Sequence, residues 1–174
     1  MKLLVVDDDD FILELLPMVL ALFGYEDVSA SATPLDALAL VRHEQPGFDC
    51  LLLDIQMPGM DGIELCRQIR ALRGYADTPI IMLTAMSDKD SIDQAFAAGA
   101  TDYITKPFDV TEIGARVRVA AKLKEAQDAL QVVHQNHEKA VQNSRLPDKA
   151  QVTRKEISEL FAGELGYRGK SSAG

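Results

Sequence analysis

Asp54 ends the apolar run Cys50-Leu51-Leu52-Leu53 and opens the turn Ile55-Gln56-Met57-Pro58-Gly59-Met60-Asp61-Gly62. Two other apolar runs also break into charge. Lys2-Leu3-Leu4-Val5-Val6 leads into Asp7-Asp8-Asp9-Asp10, and Tyr103-Ile104-Thr105 leads into Lys106-Pro107-Phe108. In a parallel sheet, groups at the C-terminal ends of such runs converge on one crevice. Carboxylates gathered there repel one another unless a cation lies among them. An all-oxygen donor set suits Mg2+, which binds through one or two carboxylates and keeps several waters. A lysine opposite supplies a compact positive charge for a phosphoryl oxygen. The chemistry this combination suggests is capture of a phosphoryl group on Asp54.

The elements that must position these groups alternate between short apolar strands and helical patterns. That alternation argues for a right-handed βαβ series around a parallel sheet. Strands are expected near 2–6, 27–31, 49–53, 79–83 and 101–105. The first, third and fourth are continuously apolar, as central strands covered on both faces should be. Helices are expected near 10–23, 34–44, 62–72, 88–98 and from about 109 onward. Gly24, Gly74 and Gly99 follow the first, third and fourth helices and suit left-handed caps. Thr33-Pro34 sets a capping oxygen before a first-turn proline. Asp61 is placed to cap the third helix, and Asp61-Gly62 and Pro58-Gly59 have turn-forming jobs. Pro17 lies inside the first helix, where a kink is expected.

The fifth helix runs past the point where a compact domain would end. Ile113, Val117 and Ala120 can face the sheet. Leu123, Ala126, Leu130, Val133, His137 and Ala140 then alternate at spacings of three and four, a heptad seam with two alanines and a histidine in it. It is read either as a solvated helical extension or as a dimeric coiled coil. Pro147 ends it. Thr153 and Glu156 have capping-box spacing before Ile157, Leu160, Phe161 and Leu165, so a short amphipathic helix is expected from about 154 to 165. The last five residues are expected to be disordered. The resulting division is 1–122 for the globular domain, 123–146 for the helical extension and 147–174 for the short helix and tail.

Composition agrees. The chain has 174 residues, 47% of them apolar, enough for one packed core with an appendage. Residues 1–110 carry 19 acidic against 7 basic side chains, a net of −12, and residues 111–174 carry 8 against 11, a net of +3. The acidic part argues against nucleic-acid binding by the main domain. No apolar run reaches the roughly 18 residues of a membrane span, and no signal segment is visible, so a cytoplasmic location is expected. Cys50 and Cys66 make no CxxC motif and read as reduced core thiols. His43, His134 and His137 lack the spacing of a metal site.

On five features, residues 1–120 resemble the receiver domain of bacterial two-component response regulators. These are the acidic pair after the first strand, Asp54 after the third, the Met-Pro-Gly-Met-Asp-Gly turn, Thr84 after Pro79-Ile80-Ile81-Met82-Leu83, and Lys106-Pro107-Phe108. Each is common alone; five in order over about 120 residues are specific. The resemblance implies a flavodoxin-like, doubly wound five-stranded parallel sheet of order 2-1-3-4-5, and phosphorylation by a partner histidine kinase. Asp54 would be the phosphoacceptor. Asp8 would ligate Mg2+ (or Mn2+) directly and Asp7 would act from the outer shell, with Gln56 offering its backbone carbonyl. Asp8 with Asp9 is the alternative pairing, but Asp7 and Asp8 directly follow the strand. Asp9 and Asp10 would then start the first helix, where negative charge suits the helix dipole.

Lys106 would reach Asp54 at rest and a phosphoryl oxygen afterwards, across a Lys-Pro bond that this family usually holds in cis. Thr84 would donate its hydroxyl, and Tyr103 would be the switch aromatic. Met86, two residues after Thr84, would shield the site from water and slow self-dephosphorylation. Asp102 and Arg116 occupy positions that pair across a two-fold axis in relatives dimerising through helix 4, strand 5 and helix 5. The output would be a protein contact, such as a homodimer, with no enzymatic activity beyond self-phosphorylation and self-dephosphorylation. Two other functions compete. One is the receiver portion of a longer regulator with a nucleotide cyclase or DNA-binding output. The other is an aspartate-nucleophile phosphatase, against which Gln56 stands where the general-acid aspartate would be.

Overall fold

In the computed structural model, residues 1–44, 46–85 and 89–144 are described. The chain order is β1 (Leu3–Val6), α1 (Asp10–Leu22), β2 (Val28–Ser31), α2 (Pro34–His43), β3 (Cys50–Asp54), α3 (Gly62–Arg70), β4 (Ile80–Thr84), α4 (Lys89–Ala97), β5 (Asp102–Thr105) and α5 (Val110–Ser144). The five strands form one parallel sheet of order β2-β1-β3-β4-β5. Every residue of β1, β3 and β4 is buried, whereas the edge strands β2 and β5 are only partly covered. Continuous apolar runs thus became the central strands, as two-sided burial requires.

The core has two halves because each sheet face carries its own helices. On one face Leu4, Val6, Leu51, Leu53, Ile80 and Met82 meet buried side chains of α2, α3 and α4. On the other, Leu3, Val5, Leu52, Ile81, Leu83 and Ile104 meet Ile12, Leu16, Val19 and Leu20 of α1 and Ile113, Val117 and Ala120 of α5. Gly114 lets the two helices on this second face come together, since a Cβ there would lie 2.4 Å from the Phe23 ring.

Helix boundaries follow the capping chemistry. Asp9 caps α1, accepting from the Phe11 N–H; Thr33 caps α2, with Pro34 at its first turn; Asp61 caps α3, accepting from the Glu64 N–H at 2.7 Å. Gly24, Gly59, Gly74 and Gly99 have positive φ. Pro17 lies within α1, whose helical span is continuous through it. The Arg70 guanidinium donates to the carbonyls of Gly99, Tyr75 and Thr78, tying α3 to the loops before β4 and β5.

The chain divides into two compact units, Met1–Leu130 and Gln131–Gly174. The first includes more of α5 than the part covering the sheet, because Gln127 Nε2 donates to the Asp77 carbonyl at 2.9 Å and Lys124 lies 3.7 Å from Asp49. In the second, residues 131–144 are helical and residues 131–142 are exposed. The expected helix at 154–165, the tail and Met86 fall outside the described residues. No described helix is long and apolar enough to cross a membrane.

Candidate functional site

Strand register places the chemical groups. Val6 pairs with Leu53, and Leu53 with Met82, so the residues one step on, Asp7 and Asp54, leave the sheet side by side. Thr84 pairs with Thr105, and the Lys106 N–H donates to the Thr84 carbonyl at 2.7 Å, so Lys106 leaves the sheet beside Thr84. Asp7, Asp54 and Thr84 are buried, and Asp8 and Gln56 are exposed. Single carboxylate oxygens of Asp7, Asp8 and Asp54 lie within 4.8 Å of one another. Asp9 does not join them; it is occupied in capping α1, and its own N–H donates to Asp7 Oδ1 at 3.0 Å.

Lys106 enters this cluster. Its Nζ is 2.6 Å from Asp7 Oδ2 and 2.7 Å from Asp54 Oδ1, so it bridges two carboxylates rather than the one expected. The Lys106–Pro107 bond is cis, as the resemblance implies. Burial pushes the Asp54 carboxyl above its ordinary pKa. Lys106 pulls it back only in part, and Asp7 and Asp8 push it further up. Burial alone would lower the Lys106 pKa, but hydrogen bonds to Asp54 and Asp7 outweigh it and the net shift is upward. Three carboxylates against one ammonium leave the crevice short of positive charge. The oxygen-only donor set and this excess of negative charge fit a hard divalent cation.

Gly62 is the residue whose role the sequence did not show. It was expected to serve a turn conformation, but its φ is not positive. It is needed for close approach instead: a Cβ would lie 2.0 Å from the Asp54 carbonyl oxygen. Its N–H donates to the Ile55 carbonyl at 3.0 Å. The start of α3 is therefore pressed against the backbone that carries Asp54. Only the two glycines of the turn signalled this, and they do not tell a close approach from a bend.

Farther out, Tyr103 is half-buried and meets the exposed Phe96 of α4 edge to face, centroids 6.1 Å apart. Arg116 and Asp102 pair within the chain. Arg116 Nη1 lies 3.0 and 2.9 Å from the two Asp102 carboxylate oxygens, and Arg116 also reaches Glu112.

Residues 3–118 match the family model for the response regulator receiver domain. The chain belongs to this family. It is 40% identical over 117 residues to the DNA-binding dual master transcriptional regulator RpaA of Synechocystis sp., covering 67% of this chain and 47% of that one. With the DNA-binding response regulator MtrA of Mycolicibacterium smegmatis it shares 41% over 128 residues, covering 74% and 54%. The chain thus spans about half the length of the curated relatives it matches. Among solved structures, a CheY-like response regulator receiver domain protein from Methanospirillum hungatei superposes with a TM-score of 0.66 at 31% identity, over 72% of this chain and 97% of that one.

Proposed function

We propose that Asp54 accepts a phosphoryl group from the phosphohistidine of a histidine kinase, and that Mg2+ is the cation its crevice holds. The observation that supports this best is the crowding of three carboxylates around one bridging ammonium at the aligned strand ends. An Asp54 carboxylate oxygen attacks phosphorus, a P–O bond forms, and the P–N bond breaks with its electron pair leaving on the imidazole. A small acyl phosphate would react the same way, its carboxylate leaving. Asp8 and Asp54 would ligate the ion directly with the Gln56 carbonyl, and Asp7 would act through water; Mn2+ suits the same donors. When bound, the cation neutralises charge on the transferring group and aligns it. Lys106 is within reach of a phosphoryl oxygen on Asp54 after a small move, and Thr84 would donate its hydroxyl to another.

The modified site would then bias a two-state element. Thr84 drawn toward the phosphoryl group vacates space for Tyr103, changing the face made by α4, β5 and α5. The output is a protein contact, and the chain's own chemistry ends with gaining and losing the phosphoryl group. A second reading is favoured by the half-length match to RpaA and MtrA: the chain would serve as the receiver portion of a longer DNA-binding regulator. The net charge of −12 over residues 1–110 argues that the receiver itself does not touch DNA.

Intact mass after incubation with Mg2+ and a small acyl phosphate tests the reading. The parent should gain one phosphoryl group, Asp54→Asn none, and Asp8→Ala should need far more Mg2+ to reach the same occupancy. Full occupancy in Asp54→Asn would overturn the assignment.

A further inference from the structure

The sheet ends at β2 in an open edge. The Leu3 N–H donates to the Asp27 carbonyl at 2.8 Å and the Asp7 N–H to the Ser31 carbonyl at 3.2 Å, so these carbonyls face β1. Along a parallel ladder the residues between turn their backbone groups the other way. Val28 and Ala30 are therefore turned outward, where no described strand pairs with them. The Val28 N–H is taken by the Glu26 carbonyl at 3.2 Å. That leaves the Val28 carbonyl and both backbone groups of the exposed Ala30 for a partner. Protein edges are commonly blunted by lysine, proline or a bulge. Val28-Ser29-Ala30-Ser31 has neither residue, and its register with β1 is unbroken.

A groove of about 460 Å³ runs beside this edge. Ala30 and Ala32 form one wall, and Ala39 and Leu40 of α2 form the other. Asp36 and Glu44 also line it, eight positions apart along α2 and its cap. Eight residues of helix rise about 12 Å. Four steps of extended chain cover about 13 Å, and side chains four apart in a strand share a face. An extended segment laid along β2 thus offers its first and fifth side chains to the two carboxylates and its third to Ala39 and Leu40.

We propose that this edge and groove bind an extended basic segment of a partner protein, which adds a further strand beyond β2. The charge selects the partner. Residues 26–44 carry four acidic side chains against one basic, a net of −3 with His43 neutral. Among the described residues Glu44 alone of the four acids is ion-paired, with Lys2. Glu26, Asp27 and Asp36 are exposed. The backbone bonds require extended chain, and the carboxylates favour lysine or arginine four residues apart. Because β2 is four residues long, few backbone bonds form, so binding is weak and falls with salt. The proposal goes beyond the phosphoacceptor reading and does not depend on it.

Amide shifts of the full chain, titrated with a capped lysine-threonine-valine-threonine-lysine peptide, test this. The peptide should move the amides of Ala30 and Ala32 and of α2 from Asp36 onward, saturably, and less tightly as salt rises. The same peptide with glutamate for both lysines should bind far more weakly, and Asp36→Lys should reverse that preference. Ala30→Pro should abolish binding, because it removes the outward N–H at an edge position that tolerates proline. Ala39→Gln, at an exposed helical position, should narrow the groove and weaken binding severalfold. Its circular dichroism spectrum and phosphoryl uptake should match the parent's, so it decides the matter where Ala30→Pro fails to fold. No saturable shift at β2, equal binding of the two peptides, or undiminished binding by Ala39→Gln would overturn the proposal. So would an Ala30 amide protected from exchange in the parent without peptide, since a second copy or another part of the chain would then hold the edge.

Discussion

Two ion pairs near the ends of β1, β3 and β5 look alike on paper and differ in kind. Lys106 is 22% exposed and lies between two carboxylates that are 0% and 3% exposed. Arg116 is 41% exposed and grips Asp102 on the outside of β5. The inner pair is desolvated, outnumbered by negative charge, and shifts the pKa of both Lys106 and Asp54. The outer pair is wet, with the single nitrogen Arg116 Nη1 shared between both Asp102 oxygens. Burial makes the inner pair a site with unmet electrostatic demand, where a cation or a phosphoryl group changes a great deal. The outer pair already satisfies its own charges, and water screens what is left.

The largest expected effect comes from Lys106→Met. It strands two buried carboxylates, and removing one partner of a buried pair costs about 3 kcal/mol at the low end. Urea denaturation without divalent cations should show that loss. Saturating Mg2+ should recover much of it, since ligand at 100 times its Kd adds about 2.7 kcal/mol. A loss of under about 1 kcal/mol would place this pair with the outer one. Next is Gly62→Ala. Backbone stands 2.0 Å from the added Cβ and has nowhere to go, so about 2–3 kcal/mol of stability should be lost. Phosphoryl uptake should slow too, because the strand end carrying Asp54 must shift. Normal uptake kinetics in that variant would show that the contact does not hold Asp54 in place.

Asp54→Asn should act in the opposite direction. The carboxyl's folded pKa lies above the ordinary 3.8, so the folded chain holds that proton where the unfolded chain has lost it. Stability then falls as pH rises from about 3.8 through the raised value, and the cost persists at neutral pH. The asparagine variant should be more stable than the parent at pH 7 without metal, with the gap closing as pH falls below 4. A gap that widens on acidification would reverse the sign assigned here. The smallest effect belongs to Arg116→Ala, within about 1 kcal/mol by chemical denaturation, as for other exposed pairs.

The same contrast explains what the sequence could show. Val6 and Leu53 are the last apolar residues of their strands, so Asp7 and Asp54 were recognisable as groups at the same C-terminal edge once a parallel sheet was assumed. Asp9 was legible as a helix-starting residue because the strand ends three positions earlier, at Val6. Strand order came from the family resemblance, since βαβ alternation alone leaves it open. What stayed hidden depends on distances between elements. Lys106 reaches Asp7, 99 residues away in sequence, as well as Asp54. Gly62 faces the Asp54 carbonyl, and Phe96 meets Tyr103. The resemblance paired Asp102 with Arg116 across two chains, and the bond between them within one chain was not legible in the sequence.

The central claim is that the crowded crevice delivers one phosphoryl group to one carboxylate. Treating the phosphorylated parent with borohydride reduces an aspartyl phosphate to homoserine, and peptide mass spectrometry then locates it. The account predicts homoserine at position 54 alone, dependent on a divalent cation. Homoserine at position 7 or 8, or uptake at Asp54 that is undiminished when the cation is chelated, would contradict it.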